Sequence, residues 1–91
     1  MDTINIRDAL EDKDAVIVDI RDNYSYNLSH VKNAINIPYY NLLNNFSHYL
    51  DKHKKYYLYC LEGNQSLEIS HRLNLFGYYT KSIEGGFITF K

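Results

Sequence analysis

Residues 15–18 read Ala-Val-Ile-Val, an uninterrupted and mostly β-branched apolar run that leads into Asp19 and Ile20. A strand that faces water on one side alternates apolar and polar side chains, whereas a strand covered by helices on both faces is apolar throughout. The run therefore predicts a central strand of a parallel sheet. A second run, apolar and aromatic, predicts another strand at residues 56–59.

Strand-like and helix-like segments alternate along the chain. After a short N-terminal segment at residues 4–10, the predicted strands are 15–20, 34–37, 56–59 and 79–83, and the predicted helices are 22–29, 40–50 and 64–76. Such alternation is typical of parallel strands joined by crossover helices. The sequence therefore predicts an α/β fold, a small parallel sheet with helices on both faces. Because the chain has 91 residues, we expect a single domain over residues 1–91.

The only cysteine, Cys60, directly follows the predicted strand 56–59. Gly63 and Asn64 favour a tight turn before the next helix. Amides at a helix N-terminus stabilise an anion, so we expect those of residues 61–66 to form a cup around one. Without context a lone cysteine is more often a buried hydrophobic residue, but this position favours a nucleophile. The residues of the proposed cup are Leu61, Glu62, Gly63, Asn64, Gln65 and Ser66, of which Asn64 and Ser66 are candidate helix caps.

Asp19 and Arg21 are the predicted supporting residues. In parallel sheets, sites collect at the carboxyl ends of the strands. Asp19 ends one predicted strand and Cys60 follows another, so we expect both at one edge of the sheet. The favoured interpretation is a hydrogen-bonded pair of Asp19 and Arg21 that braces the loop from beneath, and the alternative is direct contact with substrate.

Composition narrows the classes of partner. The net charge is -1 at pH 7, which gives no reason to expect nucleic acid or an anionic membrane as a partner. No apolar run approaches the ~18 residues that span a bilayer, and the N-terminus has no basic signal region. One cysteine and four scattered histidines form no metal-binding pattern. We therefore expect a cytoplasmic monomer with no metal and no cofactor.

Three motifs, in order, resemble those of the rhodanese-like family of single-domain sulfurtransferases. The resemblance covers residues from about 15 to 87 and includes the strand, loop and helix around Cys60. In order along the chain, the matching residues are Asp-x-Arg at 19–21, Tyr24 or Tyr26, Ser-His-Val at 29–31, Ala-Ile-Asn-Ile-Pro at 34–38, Tyr-Cys-x-x-Gly-x-x-Ser at 59–66, Leu73, Gly-Tyr at 77–78 and Gly-Gly at 85–86.

The resemblance implies a reaction in two halves. Cys60 accepts a sulfane sulfur from a small donor and holds it as a persulfide that the loop amides stabilise. A thiol or cyanide then removes the sulfur. Because the chain has no second cysteine, the acceptor has to come from outside, either as a small molecule or as a cysteine of a partner protein.

Departures from the family pattern refine this expectation. Ser29 replaces a usual glycine, Gln65 stands where many members have arginine, and Glu62 adds a carboxylate to the loop. A negative loop without a cation of its own is poorly suited to thiosulfate, a dianion, so we expect thiosulfate to be a poor donor.

Two other functions compete with sulfur transfer. Related phosphatases have a loop one residue longer that is closed by an arginine, and the shorter spacing from Cys60 to Ser66 disfavours phosphatase activity. A non-catalytic binding or regulatory module on the same fold is the nearer alternative. The retained Cys60 and the loop length favour the enzyme.

Overall fold

The computed structural model describes residues 2–90 and shows an α/β fold with five strands, four α-helices and a final 3₁₀ helix. The predicted fold class is confirmed. In chain order the elements are β1 (Thr3–Ile4), α1 (Ile6–Glu11), β2 (Ala15–Asp19), α2 (Asn23–Leu28), β3 (Ile35–Asn36), α3 (Tyr39–Tyr49), β4 (Lys55–Tyr59), α4 (Asn64–Leu75), β5 (Tyr79–Ile83) and the 3₁₀ helix Phe87–Thr89.

The strands form one parallel sheet in the order β1-β5-β4-β2-β3. Strand β1 was not predicted because its two residues are too short for any apolar pattern, and it forms by pairing with β5, where Thr3 lies opposite Ser82. In the centre, Asp19 of β2 lies opposite Tyr59 of β4. The carboxyl ends of these two strands therefore meet, which places Asp19 and Cys60 at the same edge, as predicted.

Each central strand contributes side chains to two apolar cores. On one face Val18 and Leu58, both fully buried, pack with Leu42 and other residues of α3 and α4. On the opposite face Ile17 and Tyr57 pack with residues of α1, α2 and the 3₁₀ helix. Helices therefore cover both faces, and this double burial explains why the apolar run at residues 15–18 shows no alternation.

The end of α4 is set by its local sequence. Gly77 has a φ of 94°, a left-handed conformation that favours glycine. The amide of Tyr78 donates to the carbonyl of Leu73, and that of Gly77 to the carbonyl of Asn74, both at 3.1 Å. This pattern closes the helix as expected for a glycine just past its C-terminus, and it aligns the chain for β5.

Asp12 connects the end of α1 to the start of β4. The Nζ of Lys55 and the hydroxyl of Tyr57 each donate to Oδ2 of Asp12 at 2.6 Å. These hydrogen bonds lower the pKa of the Asp12 carboxyl from 3.8 to about 2. Because the folded-state pKa lies below the unfolded one, the contact stabilises the fold above the unfolded pKa and is lost as the pH falls through the folded one.

We expect the free energy of unfolding of the wild-type protein to decrease between about pH 4 and pH 2 more steeply than that of Asp12→Asn, whose amide does not titrate. Urea unfolding followed by circular dichroism at several pH values measures both slopes. Equal slopes for the two proteins would contradict this role of Asp12.

Candidate active site

Cys60 lies at the carboxyl end of β4, and its sulfur is the acceptor of two main-chain hydrogen bonds. The amide of Gly63 donates to Sγ at 3.1 Å and the amide of Ser66 at 3.4 Å. Gly63 has a φ of 100°, which turns the chain back above the sulfur at little steric cost. Only 5% of the Cys60 surface is exposed, so the sulfur lies at the base of the loop.

The N-terminus of α4 corrects the cap prediction. Gly63 is the N-cap residue and no side chain caps the helix, so the assignment of Asn64 or Ser66 as a cap was wrong. Ser66 lies within the first turn, where its hydroxyl donates to the carbonyl of Gly63 at 3.3 Å. The Cys60 sulfur replaces the usual cap oxygen, because it accepts the Ser66 amide that a cap would otherwise satisfy.

The other residues of the loop face outward. Leu61, Glu62, Asn64 and Gln65 are all exposed, so the Glu62 carboxylate and the Gln65 amide are at the surface. Within residues 2–90, the amides of Asn64 and Gln65 make no hydrogen bond to the protein. These two helix N-terminal amides are available to an anion that binds beyond the sulfur.

The segment around Gly86 supports the loop from the other side. The amide of Phe87 donates to the carbonyl of Cys60 at 2.8 Å, and the amide of Ile88 donates to the carbonyl of Leu61 at 3.0 Å. A Cβ added at Gly86 would collide with the carbonyl of Leu61 and would lie 2.7 Å from the amide nitrogen of Glu62. The glycines at 85–86 were predicted only as part of the family motif, and the sequence did not show that this segment holds the loop.

Asp19 and Arg21 form the predicted hydrogen-bonded pair. Arg21 Nη2 lies 2.7 Å from Asp19 Oδ2, and the Tyr59 hydroxyl donates to the same oxygen at 2.7 Å. Asp19 is fully buried. Burial, with the hydrogen bond to this carboxylate, raises the pKa of Tyr59 well above its ordinary value. The Tyr59 phenol therefore remains a hydrogen-bond donor to Asp19.

The pair reaches the loop through two aromatic side chains. Tyr59 immediately precedes Cys60, and the guanidinium carbon of Arg21 lies 3.9 Å from the centre of the Phe87 ring. Arg21 also donates to the carbonyl of Ser29 at 2.6 Å. Ser29 has a φ of -168°, an extended conformation open to any residue, so the replacement of the family's glycine is tolerated here. The roles of Tyr59 and Phe87 were missed, because Tyr59 was predicted only as the last residue of a strand and Phe87 was assigned no role.

An open groove of about 360 Å³ borders the loop. Its walls come from the residues that follow β2, from the first turn of α3 and from the loop itself. It is lined by Arg21, Pro38, Tyr39, Tyr40, Leu61 and Gln65, among others. Apolar and aromatic surface with a few polar groups is typical of a small-molecule site. The groove therefore offers space beside the loop, where Leu61 and Gln65 border it.

The described residues contain neither a metal-binding cluster nor a membrane-spanning helix. Across residues 2–90, the structure contains no cluster of three or more histidine, cysteine, aspartate or glutamate side chains that would bind a metal ion. None of the helices in that range has the length and apolar character needed to cross a membrane.

Comparison with known proteins identifies the family. The model of the rhodanese-like domain matches residues 5–91. The chain belongs to the rhodanese-like domain family. This confirms the resemblance inferred from the motifs. A rhodanese-related protein of Thermoplasma volcanium has the same fold, with a TM-score of 0.88 and 29% identity over 98% of this chain and 89% of that chain.

Two kinds of curated relative match this rhodanese-like domain. The thiosulfate sulfurtransferase GlpE of Coxiella burnetii is 35% identical over 80 residues, which cover 87% of this chain and 74% of that protein. A tRNA uridine(34) hydroxylase of Aster yellows witches'-broom phytoplasma is 35% identical over 88 residues, which cover 90% of this chain but 29% of that protein. The rhodanese-like domain therefore spans less than a third of the length of that hydroxylase.

Proposed function

We propose that the protein is a sulfurtransferase that carries a sulfane sulfur as a persulfide on Cys60. The observation that carries the proposal is the pair of amides, from Gly63 and Ser66, that donate to the Cys60 sulfur. Donors aimed at a sulfur that becomes anionic during the reaction stabilise the charge without reorganisation. The relative from Coxiella burnetii, which has a comparable length and is named a thiosulfate sulfurtransferase, supports the same chemistry.

In the first half-reaction the Cys60 thiolate attacks the outer sulfur of the donor. A sulfur–sulfur bond forms to Cys60 while the bond between that sulfur and the rest of the donor breaks. The rest of the donor leaves with the electron pair, as a thiolate from a persulfide, as sulfite from thiosulfate or as the enolate of pyruvate from mercaptopyruvate. The terminal sulfur of the new persulfide carries negative charge. The amides of Asn64 and Gln65, at the start of α4, are our proposed donors to it.

In the second half-reaction a thiol or cyanide attacks the terminal sulfur. The new bond forms to the acceptor, and the bond to Cys60 breaks with its electrons on Sγ. The amides of Gly63 and Ser66 stabilise this leaving thiolate, as they stabilise the attacking one. The acceptor comes from outside the chain, as a small thiol or a partner protein's cysteine, because Cys60 is the only cysteine in the sequence.

The groove beside the loop is our proposed position for the rest of the donor. Leu61 and Gln65, two residues of the loop that follows Cys60, form part of its wall. Tyr39 and Tyr40 supply aromatic surface. Arg21, the cation in the groove lining, is paired with Asp19, whereas Glu62 and the groove residue Asp22 are exposed carboxylates. A small donor with one negative charge or none therefore suits this mouth better than a dianion.

A panel of sulfur donors tests the proposal. Thiosulfate, mercaptopyruvate and glutathione persulfide are each supplied with cyanide as acceptor, and thiocyanate is measured for the wild-type protein and Cys60→Ser. We expect turnover with at least one donor in the wild type and none above background in the variant. Background rates with every donor, in a protein shown to be folded, would favour the non-catalytic binding module instead.

Gln65→Arg is expected to raise kcat/KM for thiosulfate about 10-fold, because it places a positive charge beside a dianion at the site mouth. Gln65→Met is the matched control, with similar length and no charge. The comparison is made at low ionic strength, where screening of exposed charges is weakest. Equal kcat/KM values for the two variants would show that loop charge does not select the donor.

A further inference from the structure

Two buried pairs of hydroxyl groups join α4 to β5. The Oγ atoms of Ser66 and Ser82 lie 2.7 Å apart, and Oγ of Ser70 lies 2.9 Å from Oγ1 of Thr80. Exposed surface is 2% or less at all four residues. The pairs are similar in geometry and burial, but only the first contacts the reactive cysteine, since Ser66 Oγ lies 3.4 Å from Cys60 Sγ.

Counting hydrogens determines the direction of the first pair. In the described part of the chain, the Ser82 hydroxyl contacts one acceptor, Oγ of Ser66. A buried hydroxyl hydrogen without an acceptor is costly, so Ser82 donates to Ser66. The hydrogen of Ser66 is then available for the carbonyl of Gly63 at 3.3 Å or for the sulfur.

The hydrogen bonds of the Ser66 hydroxyl change when the Cys60 sulfur loses its proton. In the thiol form, Cys60 donates to Ser66 Oγ, and Ser66 donates to the carbonyl of Gly63. After the thiol proton has left to solvent, the sulfur accepts hydrogen bonds only, and the Ser66 hydroxyl can turn to donate to it. The carbonyl of Gly63 keeps a partner in both states, because the amide of Leu67 donates to it at 3.2 Å.

We propose that Ser82 is a positioning residue for sulfur transfer. It acts through the Ser66 hydroxyl, which it holds so that this group becomes a third donor to the Cys60 thiolate. The inference rests on the proposed function in one respect, because it assigns Ser82 to the steps in which Cys60 is attacking or leaving as thiolate. A hydrogen bond that becomes stronger as negative charge develops on the sulfur lowers the barrier of the reaction, and not only the free energy of substrate binding.

Alkylation of Cys60 by iodoacetamide tests the inference without any sulfur donor. At a pH where the wild-type rate is still rising, we expect Ser82→Ala to be alkylated about 10-fold more slowly, as for the loss of one hydrogen bond to a charged group. Ser70→Ala is the matched control, because it removes the other hydroxyl from the same helix and strand interface. We expect it to remain within about twofold of the wild type.

A second pair of variants tests the inference if Ser82→Ala does not fold. Ser82→Thr and Ser82→Val have nearly the same shape and differ in the hydroxyl, so Thr is expected to keep the wild-type alkylation rate and Val to lose it. Sulfur transfer measured on the same proteins is expected to show a lower kcat in Ser82→Val with an unchanged KM for the donor. Equal rates for Thr and Val, or for Ser82→Ala and Ser70→Ala, would overturn the inference. If the wild type accepts no sulfur while the alkylation differences persist, the proposed function fails and the hydroxyl pairing stands.

Discussion

Gly86→Ala is expected to lower the rate of sulfur transfer on the order of 100-fold, the effect of displacing a reacting group by about 1 Å. Gly86 has a φ of 69° and a ψ of -176°, a combination open essentially to glycine. The added methyl group would overlap the carbonyl of Leu61 and approach the amide nitrogen of Glu62 to 2.7 Å. Both neighbours are loop backbone, so the loop has to move away from the position that directs its amides at Cys60.

The matched control for this prediction is Gly77→Ala. Gly77 also has a positive φ, 94°, but an added Cβ there would meet the flexible side chain of Lys52 at 3.6 Å. We expect this variant to lose stability on the order of 1 kcal/mol from backbone strain and to keep its transfer rate. Thiocyanate formation is compared at equal concentrations of folded protein. If both variants transfer sulfur at the same rate, Gly86 does not position the loop.

Asp19→Ala is expected to destabilise the fold by about 3–5 kcal/mol, the usual cost of removing one partner of a buried ion pair. The substitution leaves the guanidinium of Arg21, whose side chain is 10% exposed, without its carboxylate. It also removes the acceptor of the buried Tyr59 hydroxyl. A small domain has a free energy of unfolding on the order of 5–10 kcal/mol, so the substitution removes a large part of it.

Urea unfolding of the variant measures this cost directly. Asp22→Ala is the control, because Asp22 is an exposed aspartate three residues away whose side chain caps α2. Loss of such a cap costs about 1 kcal/mol. A decrease for Asp19→Ala no larger than that for Asp22→Ala would show that the buried pair adds little to the fold.

The edge of the sheet was predictable from sequence because it follows from one rule of topology. Continuous apolar runs predicted parallel central strands, and parallel strands bring their carboxyl ends together. The structure agrees, because Asp19 lies opposite Tyr59 and the carboxyl ends of β2 and β4 meet. The position of Cys60 after β4 required no knowledge of long-range contacts.

The helix cap was not predictable in the same way. Asn64 and Ser66 are the residues at the start of α4 whose side-chain oxygens could cap the helix. In the structure, the sulfur of Cys60 accepts the hydrogen bond from the Ser66 amide instead. That choice depends on the left-handed turn at Gly63, which brings the helix back over the preceding strand. Local propensity does not contain this information.

The hydroxyl pairs have a recognisable spacing in the sequence. Ser66 and Ser70 are spaced four apart on a helix, and Thr80 and Ser82 are two apart on a strand. Each spacing places two hydroxyls on one face, and a helix that packs on the following strand brings the two faces together. Phe87 had no comparable signal, because its contact with Arg21 depends on how the C-terminal turn folds back.

The proposed function depends on Cys60 as the residue that carries the transferred sulfur, and intact mass measurement tests this most directly. The wild-type protein is incubated with a sulfane sulfur donor, freed of excess reagent and weighed by mass spectrometry before and after addition of cyanide. We expect the wild-type mass to increase by one sulfur atom that cyanide removes, and the mass of folded Cys60→Ser to stay unchanged. An unchanged wild-type mass with every donor, or an equal gain in Cys60→Ser, would contradict it.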